Sequence, residues 1–368
     1  MGSPMPWMVM FLFLAMNLLQ IYGYVGNPQA REQFGKMRGI VLDYGLKLDE
    51  GNPDYSGEDE LAAYYAEYVG DSAALYDGLD MAAILEKRLH NSSFQPTGAY
   101  RDFIEGNYRK LQERVEEIRS TGEGDYGFYP GSCYRFHSLL FGRIGRRLLP
   151  EMAVLMVLCV LYVTDYERIH KTREMVAATR TGRGILYWKA AAGLGCGIVF
   201  GFFLAAATYG YFFRCVPFRG LWEVPVCSAV YAEPRIYGYY PFITFWKLTV
   251  GEYLGLTLLV FLGALLAAGS LAAAAWMILR NSYFAFTANV ALYMVWYLLC
   301  FYNTDSFLDI PKNMNLSALW ILCGGWFMEH EMMFSFAGSE LWCLGKSAVI
   351  AGILFWVGGR RCRRADIC

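Results

Sequence analysis

The sequence predicts an all-α polytopic membrane protein, with six transmembrane helices and a mainly helical extracytoplasmic domain between helices 1 and 2. Three observations carry that prediction. Of the 368 residues 56% are hydrophobic and the mean hydropathy is positive, a composition of membrane proteins rather than of soluble enzymes. Six apolar runs are long enough, or nearly so, to span a bilayer. The formal net charge of -1 hides a segregation: residues 26–147 hold 15 of the 32 basic and 20 of the 33 acidic side chains, which leaves the rest poor in charge.

Residues 1–25 form the first transmembrane helix. The run "MPWMVMFLFLAMNLLQIYGYV" at 5–25 is apolar for about the 20 residues that cross a bilayer core at 1.5 Å each. It lacks a positive start, is long for a signal peptide and precedes no small-x-small cleavage site, so an uncleaved helix is expected. Residues 26–147 then read as the extracytoplasmic domain. Helical patterns appear in "GEDELAAYYAEYVG", in "SAALYDGLDMAAILEKRLH" and in "YRDFIEGNYRKLQERVEEIR", where Phe103, Ile104, Tyr108, Leu111, Val115 and Ile118 share one stripe. Glycine, asparagine and proline at 51–53, 96–98 and 122–124 mark loops.

Residues 148–368 form a five-helix membrane domain, with spans expected near 148–164, 190–213, 250–279, 283–302 and 343–359. Small residues in "AAAGLGCGIVFGFFLAAATYG" and "GALLAAGSLAAAA" suit close helix packing. The outer segment 314–338 is apolar at both ends yet contains Glu329, His330 and Glu331, and Gly324-Gly325 interrupts it. A charge at a helix centre costs about 2.5 to 3.5 kcal/mol on insertion scales, so a broken helical segment is expected there rather than a full span. With both termini cytoplasmic in the cell membrane, eleven basic residues lie in short segments on the inside and six on the outside, as the positive-inside rule asks.

Several chemistries are excluded or unsupported. No basic domain or stripe suits a nucleic acid. The ten cysteines include no C-x-x-C pair; Cys215 with Cys227 and Cys323 with Cys343 could each pair if their segments face an oxidising side, but buried thiols are the preferred reading. "LGKS" at 344–347 lacks the first glycine of a phosphate loop, since position 340 is Glu340, and "HEMMF" has Phe334 where a zinc protease needs its second histidine. With four histidines and no ligand spacing, no metal site is expected, and no catalytic set emerges. Glu329, His330 and Glu331 remain the main polar cluster outside the domain. They could line a substrate pathway or sense protons, but a solvated interfacial turn beside Trp320, Trp326 and Trp342 is favoured.

After the second run the chain continues "LYVTDYERIHKTREMVAATRTGRGILYWKAAAG". Asp165 and Glu167 leave the membrane, a short helix is expected from about Arg168 to Thr179, Thr181-Gly182 turns the chain, and Lys189 opens the next span. This segment, 165–189, resembles the cytoplasmic coupling segment in permease subunits of ABC transporters of the type-2 exporter class. In that family a Glu-centred exit from the second helix leads to a Ser/Thr-Arg-x-Gly-Arg turn and a lysine at the start of the third. The matching positions are Glu167, Thr179 to Arg183 and Lys189, while Tyr166 and Ile169 to Lys171 depart from the usual glycine-containing continuation. The layout of one helix, a large outer domain and five further helices is similar as well.

The resemblance implies a permease that is not itself an enzyme, moving a peptide or amphiphile as a dimer with a second copy or a related permease, within membrane lipid. It implies no cofactor in this chain, with ATP and Mg bound by a separate ABC ATP-binding subunit. Glu167, Arg173, Arg180, Gly182, Arg183 and Lys189 would then couple that subunit to the membrane helices. The rival readings are a receptor whose outer domain binds a ligand, and an intramembrane enzyme built on Glu329, His330 and Glu331.

Overall fold

The computed structural model describes residues 4–32, 35, 75–91, 95–125, 136–172, 185–216, 218, 220–228, 231–235, 238–302, 305–329 and 336–364. Among them are six helices long and apolar enough to cross a membrane, so the chain is a helical multi-pass membrane protein. The first span is α1 (Met5–Ile21) with a π-helical turn to Gly26. The intervening domain contributes α2 (Met81–Asn91) and α3 (Ala99–Thr121). A π-helical stretch, Ser138–Gly145, runs into α4 (Arg146–Thr164) as the second span. One turn, α5 (Tyr166–Ile169), follows, and α6 (Ile185–Cys215) is the third span. A two-stranded antiparallel ribbon, β1 (Glu233–Arg235) and β2 (Gly238–Tyr240), pairs Glu233 with Tyr240. The fourth and fifth spans are α7 (Val250–Leu279) and α8 (Ser282–Cys300). Two short helices, α9 (Asp309–Asn313) and α10 (Leu316–Ile321), precede the sixth, α11 (Ser339–Arg364).

The bundle end that meets α2 and α3 is called the domain face, and the end where residues 165–189 join the second span to the third is the linker face. The fourth span lies centrally, against the second, third, fifth and sixth. Its start is fixed by a capping box in which Thr249 Oγ1 accepts the Glu252 N–H and Glu252 accepts the Thr249 N–H. The second and third spans approach closely because the third presents glycine: a Cβ at Gly193 would sit 2.8 Å from Val160 Cα, and one at Gly197 2.9 Å from Met156 Cα. Small residues supply this contact because lipid provides no hydrophobic drive between helices.

The second span begins at Ser138, ten residues ahead of its expected start at 148. Its arginines hide the start from a hydropathy reading, yet each has a partner: Arg143 lies 5.0 Å from the Tyr24 ring centroid, Arg146 reaches the Cys323 carbonyl, and Arg147 bonds Gln20 and Glu151. Pro150 within α4 has no N–H to offer the carbonyl four residues back. That carbonyl, of Arg146, instead accepts the Trp320 Nε1–H at 2.7 Å.

Trp320 belongs to α10, capped by Asn315, whose Oδ1 accepts the Ala318 N–H at 3.0 Å. The chain then turns at Gly324, where φ is +99° and a Cβ would lie 2.5 Å from Gly142 Cα. Only glycine suits both the backbone and the space. His137 Nε2 lies 3.2 Å from the Gly324 carbonyl, with rings of Phe141, Phe242 and Tyr253 around the imidazole.

In the intervening domain α2 begins at Met81, later than the sequence pattern suggests, because Asp80 Oδ1 accepts the Ala82 and Ala83 N–H groups and sets the first turn. On α3 the residues Ile104, Tyr108, Leu111, Val115 and Ile118 are buried, and Phe103 is partly so. This core also contains Cys227, Ile243 and Ile310, so loops of the membrane part complete it. The expected helix over "GEDELAAYYAEYVG" lies outside the described residues.

Candidate functional site

The site is built where the second span leaves the membrane. Thr164 Oγ1 donates to the Val160 carbonyl, and the Asp165 N–H makes the last bond of the helix, to Leu161. Asp165 is buried, and one oxygen, Oδ2, takes both the Ser282 hydroxyl at 2.6 Å and the Arg168 guanidinium at 2.9 Å. Ser282 is the first residue of the fifth span, which Asn281 caps through the Tyr283 N–H. Asp165 therefore ties the end of the second span to the start of the fifth.

Two residues on, Glu167 forms an ion pair with Lys189 of the third span. Both side chains are largely buried, at 16% and 13% exposure, so the pair is better shielded from water than an open surface pair. The chain between them leaves as a single helical turn. It ends at Ile169, and Lys171 adopts a left-handed backbone at φ +57°. The longer helix expected from Arg168 is thus broken at its third or fourth residue, and residues 173–179 lie outside the described part. Tyr166 lies against His170 with ring centroids 4.2 Å apart.

Of the residues singled out for coupling, Glu167 and Lys189 meet directly; Arg173, Arg180, Gly182 and Arg183 lie outside the described residues. Asp165, Arg168 and Ser282 carry the rest of the junction. The sequence shows Asp165 and Arg168 as charges at a membrane exit, but nothing in it points to Ser282, 117 residues from Asp165.

Glu329 corrects an expectation. It is not part of a solvated turn: its side chain is 2% exposed, one oxygen is ion-paired with Arg88 of α2, and the other accepts the Tyr240 hydroxyl at 2.8 Å. Arg88 also bonds the Tyr108 hydroxyl, and the Glu329 N–H donates to the Ile243 carbonyl. Burial works against the Arg88 charge, but the hydrogen bond and charge of Glu329 outweigh it and hold the guanidinium more firmly protonated. With both oxygens engaged, Glu329 anchors the intervening domain to the segment before the last span. His330 and Glu331 lie outside the described residues.

A second anchor lies nearby. Arg114 binds Glu123 through two contacts of 2.8 and 2.9 Å, pairs with Glu117 and donates to the Thr244 carbonyl, while the Cys227 thiol lies 3.2 Å from Glu123. Burial first, and Glu123 second, push the Cys227 thiol well above its ordinary range, with Arg114 acting in the opposite sense. Cys215, Cys227, Cys323 and Cys343 are free thiols. Among the described residues no group of three or more His, Cys, Asp or Glu side chains could hold a metal ion.

At bilayer depth, Glu151 of the second span accepts from Asn17 at 2.6 Å and from Arg147 at 3.0 Å, and Arg147 also bonds Gln20. A charged group this deep persists because each member has a partner. On another side of the second span, a crevice of about 340 Å³ opens between the second, fourth and fifth spans and α10. No family model matches the chain, and neither the curated proteins nor the solved structures contain a match.

Proposed function

We propose that this chain is the membrane-embedded permease subunit of an ABC transporter of the type-2 exporter class, driven by a separate subunit that hydrolyses ATP. The observation that carries this reading is the Glu167–Lys189 ion pair, which joins the end of the second span to the start of the third around the segment that resembles the family's coupling segment. A push on residues 170–184 from the cytoplasm would act on both spans together. Asp165 and Ser282 extend the same movement to the fifth span. The linker face is then cytoplasmic, and the intervening domain lies outside the cell membrane. A second copy or a related permease completes the pathway for an amphiphilic cargo.

The test is purification from native membranes in mild detergent, with identification of stoichiometric partners and ATPase assay of the complex. An ATP-binding protein is expected to co-purify, and Glu167→Gln or Lys189→Met to weaken coupling of ATPase to cargo by about tenfold. The exchanged pair, Glu167→Lys with Lys189→Glu, is expected to recover much of it. Absence of a nucleotide-binding partner under several gentle conditions would remove this reading.

A further inference from the structure

The crevice beside the second span has a feature that coupling to a motor does not explain. Leu149, Pro150, Ala153 and Val157 line one wall, and Arg146 stands one turn above them on the same helical face, toward the domain face. The opposite walls come from Ala264 and Ala268 of the fourth span, Tyr293 and Tyr297 of the fifth, and Trp320 of α10. The lining contains no charged side chain. Its few polar groups are mostly engaged: Asn289 Nδ2 donates to the Ala285 carbonyl, and Ser317 donates to the Tyr293 carbonyl.

The rim differs in kind. Trp320 and Tyr297 lie with ring centroids 5.6 Å apart, and the Trp320 indole is bonded to the Arg146 backbone. Indole and phenol rings gather at the headgroup level, which sets the depth of this rim. Arg146 is exposed there, its guanidinium reaching only the Cys323 carbonyl at 3.4 Å among the contacts of its described surroundings. The nearby Arg143 is exposed as well. Glu151 lies on the side of the second span that faces Asn17 and Gln20, where Arg147 neutralises it. An apolar slot at bilayer depth therefore ends, at headgroup depth, beside Arg146 and Arg143, neither of which meets an acidic side chain among the described residues.

We propose that this crevice binds an acyl chain of an anionic phospholipid from the leaflet at the domain face, with the lipid phosphate held by Arg146. Charge complementarity selects a lipid over a helix of a second copy, because a guanidinium donates well to phosphate and an apolar transmembrane helix offers it nothing equivalent. The volume lies within the range of pockets that enclose small molecules. The site stands on the crevice alone and requires no ATP-binding partner.

The test uses the full chain in mild detergent, with native mass spectrometry after addition of equal amounts of phosphatidylglycerol and phosphatidylcholine. The wild type is expected to retain phosphatidylglycerol preferentially. Arg146→Gln is expected to lose about tenfold in that preference, Arg146→Lys to keep most of it, and Ala153→Phe to lose the bound lipid. In the unaltered protein, phosphatidylglycerol carrying a diazirine at mid-chain should crosslink to residues 286–297 or 149–157, and this does not depend on a variant folding. Equal retention of both lipids, crosslinks spread evenly over all six spans, or a dimer that Ala153→Phe dissociates would overturn the proposal. Because no nucleotide is present, failure here leaves the permease reading to its own test.

Discussion

At the domain face, the buried acids Glu123 and Glu329 each have several partners, whereas at the linker face Asp165 and Glu167 are held by one or two. Glu123 takes two contacts from Arg114 and lies against the Cys227 thiol; Glu329 takes Arg88, Tyr240 and, through its backbone, Ile243. Across the bundle, Glu167 meets Lys189, and Asp165 concentrates Ser282 and Arg168 on a single oxygen while the other has no hydrogen bond among the described residues. Redundant contacts make removal of any one partner costly and hold a single arrangement. Sparse contacts allow exchange of partners at small cost, which is what a junction that transmits movement requires.

The largest effect is expected from Arg114→Met. Leaving Glu123 buried without its partner should cost about 3 to 5 kcal/mol, read as a fall in the apparent unfolding temperature of the purified protein. A loss under about 1 kcal/mol, the range of exposed pairs, would break the comparison at its stronger side. Gly324→Ala comes next, at about 1 to 3 kcal/mol from backbone strain alone, because the turn needs φ +99° and already touches Gly142. Reduced domain attachment in that variant should appear as faster proteolysis between the second span and α3.

Smaller again is Glu167→Gln, expected to change stability by roughly 1 kcal/mol, because the amide oxygen can still accept from Lys189. A large loss of stability there would mean that the linker face is as rigidly held as the domain face. The finest test is chemical. With its thiol buried and its pKa pushed up, Cys227 should react with maleimide at neutral pH far more slowly than a free thiol such as glutathione. Arg114→Met should slow Cys227 further, since it removes the positive charge that opposes the effects of burial and Glu123 on the thiol.

The six spans were legible because bilayer thickness imposes a long apolar run that little else in a sequence imitates. The start of the second span was not, since Arg143, Arg146 and Arg147 read as polar when their partners, Tyr24, the Cys323 carbonyl, Gln20 and Glu151, are left out. Glu329 reads as solvated in the sequence for a related reason: Arg88 is 241 residues away, beyond any local pattern. At the linker face Glu167 and Lys189 stood out as charges bordering spans, and their meeting needs the third span to lie beside the second, which the glycines at 193 and 197 permit. Asp165 gave no such signal of its tie to Ser282, because a serine opening an apolar helix is unremarkable in a sequence.

The bond from Trp320 to the Arg146 carbonyl also fixes an order of assembly. Pro150 deprives that carbonyl of its helical donor, and the replacement is encoded 174 residues downstream. At synthesis rates of about 5 to 20 residues per second, the acceptor waits roughly 10 to 35 seconds for its donor. Throughout that interval the second span carries an open backbone oxygen near the membrane boundary. Until then that oxygen is left to water at the boundary, and a ribosome stalled before codon 320 would leave an exposed polar notch for membrane quality control to find.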